Sequence, residues 1–207
     1  AKFAGYLKIP GLEIASASPE TFLTRTGQIL RTSPIKGTRP LGLTGDFSEK
    51  DQSENIMIVD LMRNDFGRIC LKDSIQVPNL LTIKELPGLS HLVSDVVGTL
   101  KPDIQWKEIF EATLPPGSVS GAPKSSAIKL IKKYEVIDRG PYCGAFGWID
   151  GNRADLAVAI RTFWSDGKRI KFGTGAGITW SSDAQAEWEE TELKASRLMA
   201  IAKGELI

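Results

Sequence analysis

Apolar and polar residues alternate in short runs near the start of the chain. These runs lie around Gly5–Leu12, Leu12–Ser16, Thr21–Leu23 and Gln28–Arg31, with proline and glycine between them. A period of two bounded by such residues is typical of strands joined by tight turns. The pattern therefore predicts a strand-rich first third.

The period changes to that of a helix after Ser48. Apolar residues recur at helical spacing to about Phe66, Ser48 and Asp51 form a capping-box-like pair, and Gly67 is placed to end the helix. Further helices are predicted at Trp106–Leu114, Gly121–Glu135 and from Ser182 or Asp183 to Lys203. Strands are predicted at Arg68–Leu71, Ser74–Leu81, Tyr142–Ile149, Ala154–Trp164 and Arg169–Gly173, and a strand or short helix at His91–Leu100.

No repeat, low-complexity stretch or convincing linker divides these elements. Runs of strands and separate helices are typical of the α+β class. We therefore predict one α+β domain over residues 1–207.

Composition narrows the functional classes. The 207 residues carry 26 basic and 25 acidic side chains, so the formal charge is 26 − 25 = +1. This balance argues against nucleic acid or an anionic membrane as the main partner. No apolar run approaches the roughly 20 residues of a membrane span, and the first residues do not resemble a signal peptide.

Only two cysteines are present, Cys70 and Cys143, and neither belongs to a CxxC pair. A disulfide framework or a zinc site is therefore not expected. We expect a reducing, cytoplasmic compartment.

Two predicted helices each present carboxylates three residues apart. Asp51 and Glu54 share a face of the first, and Glu187 and Glu190 share a face of the last, with Lys194 one turn on. Acids from two helices could hold Mg²⁺, which prefers oxygen ligands. The alternative is that both pairs lie on solvated helix faces.

Two other segments could bind an anion. The glycines of 173–177 would let backbone N–H groups approach one, although a bulged strand end explains them equally well. Residues 117–124 open a predicted helix, whose free N–H groups, together with Ser118, Ser120 and Lys124, suit an anion, unless they only cap the helix.

Two single residues could take part in catalysis. Lys36 lies in the predicted turn 34–39, and desolvation of a lysine favours the neutral, nucleophilic amine. His91 is the only histidine and could donate or transfer a proton. A surface lysine and a structural histidine are the plainer alternatives.

Taken together and in order, these segments resemble the chorismate-utilising enzymes, and the resemblance covers essentially the whole chain. The segments are SPE at 18–20, PIKGTRPLG at 34–42, ENIMIVDLMRNDFGRIC at 54–70, HLVSDVVGTL at 91–100, GSVSGAPK at 117–124, RGPYCGAFGWID at 139–150, IRTF at 160–163, GTGAGI at 173–178 and EWEETELKA at 187–195.

The resemblance implies a fold and a reaction. The family fold has mainly antiparallel sheets flanked by helices around a central site. Most members have alanine where this chain has Lys36, whereas the lysine form resembles the aminodeoxychorismate synthase component I branch, which begins p-aminobenzoate and folate synthesis. Lys36 would then add to C2 of chorismate, and Glu20 would protonate the departing C4 hydroxyl.

The same resemblance assigns the remaining site residues. Mg²⁺ would be held by Glu54 and Glu190 as principal ligands, with Glu187 and Asp51 beside them. Carboxylate contacts are implied for Tyr142, Arg161, Gly175, Gly177 and Lys194, and ring contacts for Thr38, His91 and Ser118. Ser118 stands where several relatives have threonine.

Partners follow from the same source. Chorismate and ammonia would be the substrates, and ammonia would come from a glutamine amidotransferase subunit because nothing here resembles a Cys-His glutaminase. The family domain normally has further N-terminal strands that this chain lacks, so self-association through unpaired sheet edges is expected. Anthranilate synthase component I and a truncated, non-catalytic binding or assembly module remain the alternatives.

Overall fold

The computed structural model describes residues 2–43, 45–86, 88–180 and 182–203. This part of the chain forms eleven strands, five α-helices and a 3-10 helix. The strands are β1 Phe3–Ile9, β2 Leu12–Ser18, β3 Thr21–Thr26, β4 Ile29–Ser33, β5 Ile35–Pro40, β6 Gln76–Leu86, β7 Leu89–Thr99, β8 Ala145–Asp150, β9 Arg153–Val158, β10 Thr162–Ser165 and β11 Ile170–Phe172. The helices are α1 Glu49–Ile69, the 3-10 turn Lys72–Ser74, α2 Trp106–Thr113, α3 Gly117–Ser120, α4 Lys124–Tyr134 and α5 Ala184–Ala202.

The strands build two antiparallel sheets. The smaller has the order β1-β2-β10-β11, and the larger has the order β5-β7-β4-β3-β9-β8 with β6 also on β7. Strands β4 and β5 pair with successive halves of β7, with Leu30 opposite Gly98 and Lys36 opposite Leu92. The long strand β7 thus fixes where the short strand β5, which carries Lys36, must lie.

Helix α1 packs its apolar face on the larger sheet. Ile58, Met62 and Phe66 recur every four residues and are almost completely buried, together with Leu30 and Val96 of the sheet. Each such side chain contributes roughly 1.5–3 kcal/mol by leaving water. This packing holds the first turns of α1, which carry Glu54, over β5.

The chain crosses between the sheets at two neighbouring points. Residues 19–20 lead from β2 to β3, and residues 159–161 lead from β9 to β10. The crossings are joined by hydrogen bonds from the Ala17 N–H to the Arg161 carbonyl (3.1 Å) and from the Val158 N–H to the Glu20 carbonyl (3.1 Å). Glu20 and Arg161 therefore lie together at the junction of the sheets.

The predicted class and most elements are confirmed. The domain is α+β with antiparallel sheets, residues 91–99 belong to β7, and Ser48 caps α1 by accepting from the Asp51 N–H at 3.1 Å. Within the described residues, no helix is both long and apolar enough to cross a membrane.

Four predicted boundaries are wrong. Gly67 lies inside α1, which continues to Ile69 because Phe66 and Ile69 are buried, so no strand forms over 68–71. The predicted helix 121–135 begins later than expected, as α4 at Lys124, and Gly121, at φ +102°, separates it from the preceding short helix α3. The predicted strand 154–164 is β9 and β10 in different sheets, because Arg161 adopts φ +48°.

The fourth error concerns Lys36. Residues 34–39 were expected to form a turn, but residues 35–40 form β5, which pairs with β7. Gly37, at φ +78°, makes a register shift between Lys36 and Thr38. The proline and glycine therefore mark an irregular strand.

Candidate active site

Lys36 and Glu54 meet between β5 and α1. The Lys36 Nζ lies 3.4 Å from Glu54 Oε2, and their side chains are 19% and 15% exposed. A Cβ added at Gly177 would lie 3.6 Å from Glu54 Oε2 and 3.7 Å from Lys36 Nζ, so the glycine segment 173–177 passes close to the pair. Both charged side chains are therefore mostly shielded from solvent.

Glu20 lies at the junction of the sheets and is 6% exposed. Burial raises the pKa of Glu20 to about 7, although the Ser118 hydroxyl, the Lys36 ammonium and the Ile35 backbone act in the opposite direction. Ser118 Oγ faces this carboxyl without the geometry of a full hydrogen bond, and it has no other partner in the described chain. Glu20 can therefore hold a proton near neutral pH.

His91 lies across the strand pair from Thr38. Thr38 Oγ1 and His91 Nδ1 are 2.8 Å apart, and the histidine is buried. Desolvation lowers the pKa of His91, the nearby Arg161 guanidinium lowers it further, and the Gly37 backbone opposes both. The ring is therefore neutral at pH 7 and can donate or accept one hydrogen bond.

The glycine segment also joins the other predicted anion ligands. A Cβ at Gly173 would lie 2.3 Å from Tyr142 Cγ, so only glycine lets the ring pack there. Lys194 Nζ donates to the Gly175 carbonyl at 3.3 Å and forms an ion pair with Glu190 at 2.5 Å. These contacts place Tyr142 and Lys194 on the segment that also approaches Lys36.

The predicted metal ligands are each paired with a lysine. Glu54 is paired with Lys36, Glu190 with Lys194, and Glu187 with Lys50 at 2.8 Å. No group of three acidic, histidine or cysteine side chains that could hold a metal forms among residues 2–43, 45–86, 88–180 and 182–203.

The donor chemistry nevertheless suits Mg²⁺. All three predicted ligands are carboxylates, the oxygen donors that Mg²⁺ prefers. Glu187 is buried, and its Oε2 has no hydrogen-bond partner in the described part of the chain. A buried carboxylate oxygen without a donor fits the chemistry of a cation ligand.

Lys124 is paired with another side chain of the protein and does not provide an open site for an anion. Its Nζ lies 2.5 Å from Asp65 Oδ2 and donates to the Thr113 carbonyl at 3.0 Å. Both ion-paired side chains are largely buried, at 15% and 6% exposed. The lysine therefore ties the segment carrying Ser118 to α1, and its expected availability to an anion is wrong.

A cavity of about 1010 Å³ lies between α1 and α4, and Met57, Leu61 and Ile128 are among its lining residues. Of the predicted site residues, only Lys124 lines it. The candidate site is therefore defined by converging charged side chains and not by this cavity.

Two residues of the site were not predicted. Lys50 precedes Glu54 by one helical turn, and Ser182 Oγ donates to Glu187 Oε1 at 2.6 Å. The i, i+4 spacing of Lys50 and Glu54 was the available signal on α1. No local signal relates Lys50 to Glu187, because 137 residues separate them.

A buried acid, Glu20, thus lies at the junction of the two sheets, and the glycine segment approaches both Lys36 and Lys194. Comparison with known protein families gives a specific match. Residues 1–200 match the model of the chorismate binding enzyme family, and the chain belongs to that family.

Relatives within the family differ in their names. The chain is 40% identical over 205 residues to anthranilate synthase component 1 of Saccharolobus solfataricus, covering 93% of this chain and 48% of that protein. It is 35% identical over 211 residues to aminodeoxychorismate synthase component 1 of Escherichia coli, covering 96% and 46%. The chain thus spans about half the length of these curated relatives.

A solved structure agrees with the fold. The crystal structure of anthranilate synthase component I from Streptococcus pneumoniae matches with a TM-score of 0.85 and 34% identity. The match covers 96% of this chain and 46% of that chain. The predicted family fold is therefore confirmed.

Proposed function

We propose that the protein converts chorismate and ammonia to 4-amino-4-deoxychorismate, with Mg²⁺ and a covalent adduct on Lys36. The observation that carries this proposal is the position of Lys36, largely buried beside Glu54 and near the protonatable Glu20. A nucleophile and a proton donor at one site are what a two-step displacement needs.

In the first step the neutral amine of Lys36 adds to C2 of chorismate. The two conjugated ring double bonds shift, the C4–O bond breaks, and Glu20 gives its proton to the departing oxygen, so that water leaves. In the second step ammonia adds at C4 and returns a proton to Glu20, the two double bonds move back, and the C2–N bond breaks to release Lys36. The net reaction is chorismate plus ammonia to aminodeoxychorismate plus water.

Other residues of the site would orient the substrate. Arg161 carries a planar fork that suits a carboxylate, and Lys194 with the backbone near Gly175 offers a second cationic position. Thr38, His91 and Ser118 would lie along the ring. Glu54, Glu187 and Glu190 would hold Mg²⁺, which when bound would neutralise the ring carboxylate and charge developing as C4–O breaks.

Ammonia would come from a glutamine amidotransferase subunit in the cytoplasm. The amidotransferase partner is proposed from the family resemblance. The cysteines of this chain do not replace it: both are buried and free, and burial raises the pKa of each thiol to about 11. Neither thiol suits glutamine hydrolysis, which needs a ready thiolate.

Anthranilate synthase component I is the second candidate. Relatives of that name from Saccharolobus solfataricus and Aquifex aeolicus are 40% and 39% identical. That reaction would also eliminate pyruvate. Lys36 is the feature that favours aminodeoxychorismate.

Product identification separates the candidates. The full-length protein is incubated with chorismate, MgCl₂ and ammonium chloride, and the products are resolved by chromatography. We expect aminodeoxychorismate without pyruvate, loss of product with Lys36→Ala, and full activity with Lys129→Ala, an exposed control on α4. Anthranilate with pyruvate would favour the second candidate, and wild-type rates in Lys36→Ala would contradict the nucleophile.

A further inference from the structure

The two oxygens of the Glu187 carboxylate have unequal surroundings. Oε1 accepts from Lys50 Nζ at 2.8 Å and from Ser182 Oγ at 2.6 Å. Oε2 is buried and has no hydrogen-bond partner among the described residues. A carboxylate held in this way has one saturated oxygen and one that remains available.

A buried carboxylate oxygen that accepts no hydrogen bond lowers the stability of the fold. An unsatisfied buried polar group is destabilising, and more so when it is charged. A freely rotating carboxylate would share its two donors between its oxygens. One donor, Lys50, belongs to α1, and the other, Ser182, lies just before α5. Together they fix the rotation of the Glu187 carboxylate.

Lys50 also lies in the field of the neighbouring acids. Its ammonium interacts electrostatically with Glu54 and Glu190 in addition to Glu187. All three predicted metal ligands therefore interact with the Lys50 ammonium. Lys50 is 44% exposed, whereas Glu187 is 6% exposed, so the lysine approaches the carboxylate from the solvent side.

Ser182 connects the carboxylate to the glycine segment. It accepts from the Thr179 N–H at 3.0 Å while it donates to Glu187. Its position therefore depends on the backbone that follows residues 173–177. Hydrogen bonds of this outer kind commonly fix the orientation of metal ligands, and their loss typically weakens metal binding about 10–100-fold.

We propose that Lys50 and Ser182 are positioning residues that hold Glu187 by Oε1 so that Oε2 is presented to the divalent cation. This inference rests on the magnesium part of the proposed function. It assigns roles to two side chains that are not among the proposed substrate contacts. It also explains why Glu187 Oε2 is buried without a donor.

The test is calorimetric titration of the full-length protein with MgCl₂ in the absence of chorismate. Lys50→Met and Ser182→Ala are each expected to weaken binding about 10–100-fold. Lys50→Arg, which can still donate to Oε1, is expected to restore most of the affinity. Lys107→Met is the control, because Lys107 is 78% exposed and pairs only loosely with Glu111 at 4.0 Å.

Three outcomes would overturn the inference. Unchanged affinity in both variants would show that Glu187 needs no positioning, and tighter binding in Lys50→Met would show that the lysine competes with the cation. If Lys50→Met fails to fold by circular dichroism, Ser182→Ala alone decides. A wild-type protein that binds no Mg²⁺ would also overturn the magnesium part of the proposed function, whereas equal binding by wild type and variants leaves that part intact.

Discussion

Replacement of Glu20 by glutamine should stabilise the protein in a pH-dependent way. Folding raises the pKa of Glu20 from its ordinary 4.5 to about 7, with desolvation as the largest cause. The folded chain therefore binds this proton more tightly than the unfolded chain does. The stability that Glu20 contributes is complete below pH 4.5, falls as the pH rises, and levels off above about 7.

The size of the effect follows from the shift. A difference of 7 − 4.5 = 2.5 pKa units corresponds to about 3 kcal/mol at 1.36 kcal/mol per unit. Of this, roughly 2.5 kcal/mol develops between pH 5 and pH 8.5. Glutamine keeps the shape without the charge, so Glu20→Gln should gain this amount on the wild type over that range.

Urea denaturation at several pH values measures the difference. Glu192→Gln, an exposed site on α5, is the control and should show no such trend. Activity should move oppositely, with Glu20→Gln slowed by about 10²–10⁴-fold if Glu20 transfers the proton. A stability difference that stays constant from pH 5 to pH 8.5 would refute the assignment of a buried, protonatable Glu20.

Two further substitutions test the supporting structure. Lys124→Met removes the partner of the buried Asp65 carboxylate and should lower the free energy of unfolding by about 3–5 kcal/mol, measured by urea denaturation; a loss below 1 kcal/mol would contradict this. Gly37→Ala places a Cβ 2.7 Å from Phe47 Cδ1 at φ +78°, so we expect roughly 1–2 kcal/mol of strain and a displaced Lys36. Activity should then fall more than stability, and Gly27→Ala, also at positive φ but with open space, should cost stability alone.

Local signals in the sequence predicted much of the fold. The signals for α1 are local, because the cap at Ser48 and the helical period each involve only a few residues. The helix begins where these signals predict. The errors arose where tertiary packing decides. Gly67 does not end α1, because burial of Ile69 outweighs the modest cost of one glycine in a helix.

The site depends on contacts that no local pattern contains. The partial burial of Glu54 could be inferred from Ile58, four positions on, which is buried on the same helix face. The pairing of Lys50 with Glu187, in contrast, depends on how α1 and α5 lie together. The motif resemblance named most of the residues that the structure brings together, and the structure added Lys50, Ser182 and the commitment of Lys124 to Asp65.

The Lys36 adduct is the most direct test of the central claim. The full-length protein is mixed with chorismate and MgCl₂ without ammonia, quenched and digested, and the peptide containing Lys36 is examined by mass spectrometry. The proposed mechanism predicts an added mass of chorismate less one water on Lys36, absent in Lys36→Ala and discharged by ammonia. An unmodified Lys36 peptide from protein that still forms aminodeoxychorismate when ammonia is supplied would contradict covalent catalysis by this residue.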